Sequence, residues 1–205
     1  MIGRRSKTIK KLEEKRDPST ITFEDVTHKG NIHLFSDAHF DHANIIRYCH
    51  RPFHSAHQMN HKLLENWNNS VRENEIVYFL GDMTFGRHRR PIDFWLGKLN
   101  GRIQYIRGNH DSDAITRASV IPSRYGIKYE NYEFLLSHDP HRPFGYDGWI
   151  IHGDKHNNSL DRYPFINQEN KTVNVCAEVV NYTPLALSNL IPLLASGKSY
   201  RTIND

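Results

Sequence analysis

The sequence predicts an α/β protein in which a largely parallel sheet is followed by a second sheet packed against it. Two patterns carry that prediction. Through about residue 120, short apolar runs alternate with stretches of helical period, which implies βαβ crossovers. Beyond that point, strand-like runs at 132–137, 149–152 and 172–177 are separated by loops holding Pro140, Pro143, Gly145, Gly148 and Pro164, with little helical periodicity. A mixed or antiparallel second sheet fits that half.

The elements follow in order. Ile32-His33-Leu34-Phe35-Ser36 reads as the first strand. Met59, Leu63, Trp67 and Val71 then recur every four residues, which marks one buried helix face. Ile76 to Leu80 is an unbroken apolar strand. Ile92, Trp95, Leu96 and Leu99 repeat the helical spacing, and Asn100-Gly101 supplies a stop, since Asn or Gly can take the left-handed conformation at a helix end. Ile103–Ile106, Tyr132–Leu136 and Trp149–Ile151 are further strands. Near the end, Thr183-Pro184 reads as a cap and first turn opening a helix over Leu185 to Leu190, which Pro192 limits or kinks.

The chain has 205 residues and a net charge of +4. No repeat or flexible linker divides it, so a basic N-terminal arm over 1–30 and a single domain over 31–205 are expected. Residues 1–16 hold seven Lys and Arg against two Glu, a net +5, so the remaining residues sum to −1. Such an arm can attract nucleic acid or an acidic partner; the plainer reading is a solvated, partly helical tail. No apolar run approaches the ~20 residues of a bilayer span, and the N-terminus is charged, so no membrane association is expected. Two cysteines, Cys49 and Cys176, are too few for a disulfide framework, which points to the cytoplasm. Oligomeric state has no signature in the sequence.

The chemistry sits at the strand exits. Asp37 and His39, two apart at the end of the first strand, are expected to point the same way, as alternate strand residues do, so that a carboxylate and an imidazole converge on a divalent ion of the manganese, iron or zinc kind. Asp82 follows Gly81 after the fully apolar strand, and a carboxylate there needs compensation, which ligating two metals at once would give. In Gly108-Asn109-His110-Asp111, Asn109 offers a neutral oxygen, whereas His110 is directed elsewhere and is better suited as an acid beside the metals. Asp111 reads as the cap of a following helix. His138 and His156 complete the nitrogen donors.

In their order and spacing these fragments resemble the calcineurin-like metallophosphoesterases. Their series of D-x-H, G-D, G-N-H-[DE], a lone H and G-H-x-H is matched from about Ile32 to Leu194. The opening Asp37-Ala-His-Phe-Asp-His-Ala-Asn-Ile-Ile46, with Arg51-Pro-Phe53 shortly after, is most similar to small single-domain members of bacteria and their phages. The resemblance implies a sandwich of two mixed β-sheets flanked by helices, with a binuclear centre at the C-terminal ends of the strands. It implies one divalent ion held by Asp37, His39, Asp82 and His156. A second would be held by Asp82, Asn109, His138 and residue 154, with His110 catalytic. Manganese is the first choice of metal, with iron, zinc, nickel or magnesium as alternatives. One position departs, because Asp154 stands where the family has the first His of G-H-x-H. Either Asp154 ligates through oxygen, or His152 swings in, or the second metal is weak or absent.

The resemblance thus implies hydrolysis of a phosphate ester by a metal-bridging hydroxide, His110 protonating the leaving oxygen and no phosphoenzyme forming. Two divalent ions and three aspartates leave +1, which would favour a monoanionic diester over a dianionic monoester. With the basic arm this tilts the expected substrate toward a phosphodiester of nucleotide or nucleic-acid type. A phosphomonoesterase, including a protein phosphatase, is the alternative; a degenerate, non-catalytic metal- or nucleic-acid-binding module is the rival of another class. Arg47, Arg51, Arg87, Arg89, Arg90 and Arg107 are candidates for phosphate contacts, and Arg87-His-Arg-Arg90 is the stretch best placed to line the site.

Overall fold

A computed structural model describes residues 21–205. The described residues open with strand β1 (Phe23–Asp25), then β2 (Ile32–Phe35), helix α1 (Ala43–Tyr48) and helix α2 (Ala56–Ser70). After β3 (Ile76–Phe79) come α3 (Ile92–Leu96), β4 (Arg102–Tyr105), β5 (Ser119–Val120) and β6 (Arg124–Tyr129). The chain ends with β7 (Tyr132–Ser137), β8 (Trp149–His152), β9 (Ile166–Asn167), β10 (Thr172–Asn174), β11 (Leu185–Ala186) and α4 (Leu187–Ala195).

The strands form two mixed sheets flanked by helices. One has the order β11-β2-β3-β4-β5, with β2 to β5 parallel and β11 antiparallel at its edge. The other has the order β1-β6-β7-β8-β10-β9, in which β1–β6, β7–β8 and β8–β10 are parallel and the remaining pairs antiparallel. Strands β2 and β3 are buried throughout because both their faces are covered. Phe35 and Phe79 meet Trp67 of α2, at ring distances of 5.7 and 6.1 Å. On the opposite face Tyr78 meets Tyr125 of the second sheet at 6.1 Å. Trp67 keeps its indole N–H satisfied by Asn100 O at 2.9 Å, so its burial strands no donor. Truncating it to Ala would cost ~3–5 kcal/mol.

Helix α2 is pinned at its start by side-chain caps. Ser55 accepts from Gln58 N at 3.2 Å, and the Gln58 amide returns to His54 N at 2.7 Å. Three expectations are corrected. The domain does not start at residue 31, since β1 pairs with β6 and is part of the second sheet. Helix α3 stops at Leu96 with Gly97 as its cap, and the left-handed Gly101 (φ +98°) instead turns the chain into β4. Leu185 and Ala186 do not start the last helix either: they pair with Leu34 and His33 as an edge strand, so the helix begins at Leu187 with Pro192 inside it. The charged stretch 1–16 lies outside the described residues. No helix among the described residues is long and apolar enough to cross a membrane.

The two sheets meet at one end. Ser36 N donates to Val175 O and Ala177 N to Ser36 O, both at 3.1 Å, so the exit of β2 is stitched to the exit of β10. The C-terminal ends of β2, β3, β4, β7 and β8 therefore open onto the same edge.

Candidate metal centre

The loops at this edge are unusual in their backbone. Asp37 (φ 57°), His39 (φ 50°), Asp82 (φ 60°), Asp154 (φ 66°) and His156 (φ 48°) are all left-handed, a region that non-glycine residues avoid. Asp37 and His39 thus converge through alternating left-handed residues and not, as the pleat argument supposed, through a continued strand. The strain is held by neighbours: Asp37 N donates to Gly81 O, His39 N to Asp82 O (both 3.0 Å) and Phe40 N to Met83 O (2.8 Å). Space is as tight as conformation. A Cβ on Gly108 would strike the Asp82 carboxylate, and one on Gly153 would strike Ser36 Oγ and Asp37 Oδ2.

Seven of the eight residues singled out from the sequence are tied together by short polar contacts. His39 Nε2 lies 3.7 Å from Asp37 Oδ1 and 3.6 Å from Asp82 Oδ2. His156 Nε2 is 3.6 Å from the same Asp37 Oδ1. His138 Nε2 is 3.6 Å from Asp82 Oδ2, 3.6 Å from Asp154 Oδ1 and 2.8 Å from Asn109 Oδ1. Ligand atoms of Asp37, His39 and His156 form one compact group and those of Asp37, Asp82 and His138 another. The eighth residue, His110, sits at the rim, its side chain 38% exposed and its Nε2 4.0 Å from Asp82 Oδ2. His152 stays out of these groups: it is fully buried in β8, ring to ring with Tyr163 at 5.7 Å.

Whether these residues suit a cation is decided by what they leave unpaired. Asp37 Oδ1 and both ring nitrogens of His39 are buried with no hydrogen-bond partner, an arrangement that costs roughly 1–3 kcal/mol per group unless something binds there. His138 adds a further sign. Its Nδ1 bonds Leu80 O at 2.7 Å, which in the neutral ring turns the Nε2 lone pair toward the Asn109 oxygen. Acceptors facing acceptors fit divalent metal ions. Set only by one another, the charges are mismatched: burial, then Asp37, push the Asp82 carboxyl up to about 7. Asp37 itself is held well below the ordinary carboxylate range against its burial, chiefly by His156. His156 in turn, despite burial, is raised to about 11 by Asp37 together with Cys49 and Glu178.

Behind the first group stands a buried support that the sequence motifs do not mark. Glu178 bonds His156 Nδ1 at 3.1 Å and pairs with Arg51 at 2.7 Å, both side chains almost fully buried. Arg51 also donates to the carbonyls of Ala38 and Asp37, each at 2.8 Å. Cys176, a free buried thiol like Cys49, donates to Asp37 Oδ2 at 3.2 Å. Glu178 had one signal in the sequence, a lone carboxylate inside the apolar run Val173–Val180. Arg51, a candidate phosphate ligand, is committed to this support instead.

Other expectations change as well. No helix follows Asp111; its carboxylate collects the backbone N–H groups of Asp82 and Gly108 (both 2.8 Å) and Met83 (3.2 Å), clamping one metal-site loop to the other. Asp154 Oδ1 faces the cluster, whereas Oδ2 is bound by Lys155. Of the other arginines, Arg89 makes a bidentate pair with Asp113, Arg90 pairs with Asp41 at 2.6 Å, and Arg107 bonds the Asp111 and Asp113 carbonyls. Arg47 and Arg87 make no ion pair among the described residues.

The chain is 46% identical over 182 residues to the uncharacterized protein MJ1445 of Methanocaldococcus jannaschii, covering 85% of this chain and 97% of that one. It belongs to the same family as that protein. It is also 35% identical over 86 residues to the gene 66 protein of Mycobacterium phage D29, spanning 40% of this chain and 41% of the phage protein. No family model matches. Among solved structures, the protein of unknown function AQ665 from Aquifex aeolicus superposes with a TM-score of 0.60 at 21% identity, over 80% of this chain and 98% of that one. That likeness concerns the fold alone.

Proposed function

We propose that this chain is a metal-dependent phosphoesterase of the calcineurin-like type. The observation that supports the reading is the convergence of three imidazoles, two buried aspartates, Asn109 and Asp154 on one edge, with buried donor atoms that nothing in the protein satisfies. One cation would be held by Asp37, His39, Asp82 and His156, the other by Asp82, Asn109, His138 and Asp154. Bound there, two divalent ions would supply the nucleophile and neutralise the phosphoryl oxygens. The chain's own part is positional. Asp111 fixes the Asp82 loop, Glu178 and Cys176 aim His156 and Asp37, and the His110 backbone N–H donates to Asp82 Oδ1 at 3.0 Å. His110 is the most accessible imidazole of the set and would hand a proton to the departing oxygen.

The test is hydrolysis of bis(p-nitrophenyl) phosphate and p-nitrophenyl phosphate with manganese added. Turnover should vanish on chelation and return with metal. His110→Ala should lower kcat by about 10²–10⁴-fold, the usual worth of general acid catalysis, while the protein still binds manganese. Turnover that survives both chelation and His110→Ala would refute the reading.

A further inference from the structure

Two large aromatic side chains stand exposed beside the centre. Phe85 is 36% and Tyr48 55% exposed, and neither is among the buried residues of the hydrophobic core. Phe85 is nevertheless fixed. Its backbone N–H bonds Phe40 O at 3.3 Å, and the following Gly86 (φ +119°) turns the chain away. Its ring lies 4.3 Å from that of His110 and meets His42 edge to face at 4.8 Å and 87°. His42 continues the row to Tyr48 at 6.2 Å, where the Arg47 guanidinium lies 5.8 Å from the ring centre. The outward row is therefore His110, Phe85, His42, Tyr48, with Arg47 at its far end.

At the surface and not in the buried core, Phe85 lies ring to ring with the imidazoles of His110, His42 and His39, the last at 6.3 Å. A braced ring with an open face is what a planar aromatic ligand stacks on, and every nucleobase has such a face. Position fixes which part of a substrate would meet it. A group that takes its proton from His110 leaves next to Phe85. Arg47, at the far end of the row and without an ion pair among the described residues, could meet a further phosphate.

Building on the phosphoesterase reading, we propose that Phe85, braced by His42 and extended by Tyr48, is a stacking platform for a nucleobase on the leaving-group side of the centre. The substrate class is then a nucleotide phosphodiester whose departing alcohol carries a base.

The full-length, manganese-loaded protein should be titrated with adenosine 5′-monophosphate and with ribose 5-phosphate, which differ only in the base. The base should tighten binding about tenfold, as a single stacked base does. Phe85→Ala should reduce that preference to about twofold or less, whereas Phe85→Tyr, which keeps an aromatic face, should retain it. Equal affinity of the wild type for the two probes, including no binding of either, overturns the platform. So does a preference that survives Phe85→Ala. These titrations need no turnover. A base preference lost with Phe85 in a protein that hydrolyses neither aryl ester would keep the platform and sink the hydrolase. Hydrolysis with equal affinities would do the reverse.

Discussion

The two ends of the parallel sheet carry the same residue types and use them differently. Where β2 and β3 begin, Glu75 accepts from Asn31 Nδ2 at 2.6 Å and Arg72 N at 3.0 Å and bonds His33 Nε2 at 2.8 Å. Both its oxygens are occupied. Where the same strands end, Asp37 Oδ1 and both His39 nitrogens have no partner, whereas His33 leaves only Nδ1 unpaired. A buried His beside a buried carboxylate is thus a closed structural knot at one end of β2 and an open donor set at the other. Residue type alone does not distinguish them; left-handed backbone and unsatisfied atoms do.

The largest effect should come from Asp82, the carboxylate that the two ions of the proposed centre would share. Asp82→Asn, which keeps the shape and removes the charge that lies 3.6 Å from both His39 and His138, should lower turnover of the aryl diester by about 10⁴-fold, or ~5 kcal/mol of barrier. It should also remove most of the stabilisation by manganese, which for the wild type at a thousandfold excess over Kd is about 4 kcal/mol. Thermal denaturation with and without metal reads this directly. A variant that melts and turns over like the wild type would reduce the open end to a second structural knot.

Next comes the buried support. Arg51→Met leaves buried Glu178 with His156 as its remaining partner and strips the donors from the Ala38 and Asp37 carbonyls, and urea denaturation should show a loss of ~3 kcal/mol. Adding Glu178→Leu should recover much of it. A single-mutant cost below about 1 kcal/mol would mean that the pair does not hold this end together.

The sequence made one class of residue legible and hid another. Strands β2, β3, β4, β7 and β8 announce themselves as apolar runs, and the polar residues just past them are conspicuous for that reason. All the candidate metal ligands read from the sequence come from such exits. Strands β5, β9 and β11 are two residues long and have no periodicity to read. Leu185 looks helical because its pairing with Leu34 depends on a strand some 150 positions earlier. Arg51, Asp111 and Glu178 were assigned other roles or none. Their partners lie 13 to 127 residues away, or, for Asp111, are backbone amides that no pattern marks.

At the closed end the effect is smaller and depends on pH. Although burial works against it, the Arg72 amide and the Asn31 and His33 side chains hold Glu75 at about 2, below its ordinary 4.5. A depressed carboxyl stabilises the fold above its unfolded value and loses that contribution as pH falls toward the folded one. Stability should therefore decline between about pH 4.5 and 2, by ~2–3 kcal/mol from this group. Glu75→Gln should flatten that acid limb in denaturation curves taken without metal. An unchanged limb would assign the acid loss to other carboxylates.

The smallest effect is expected at Asp154, and Lys155 is the reason. Counting aspartates alone, replacing an expected His by Asp lowers the charge of the centre by one and favours diesters. Lys155 holds the Asp154 oxygen that faces away from His138, with both side chains about a quarter exposed, and so offsets that change beside the site. Asp154→His frees Lys155 to swing into solvent, and the net field felt by a substrate changes little. The diester-to-monoester ratio should then shift by less than about fivefold, the scale of a partly exposed ion pair. Lys155→Gln removes the offset and leaves the carboxylate, so it should move the ratio toward the diester by more than Asp154→His moves it toward the monoester. If Asp154→His is the larger of the two, the lysine is a bystander and the aspartate by itself sets the preference.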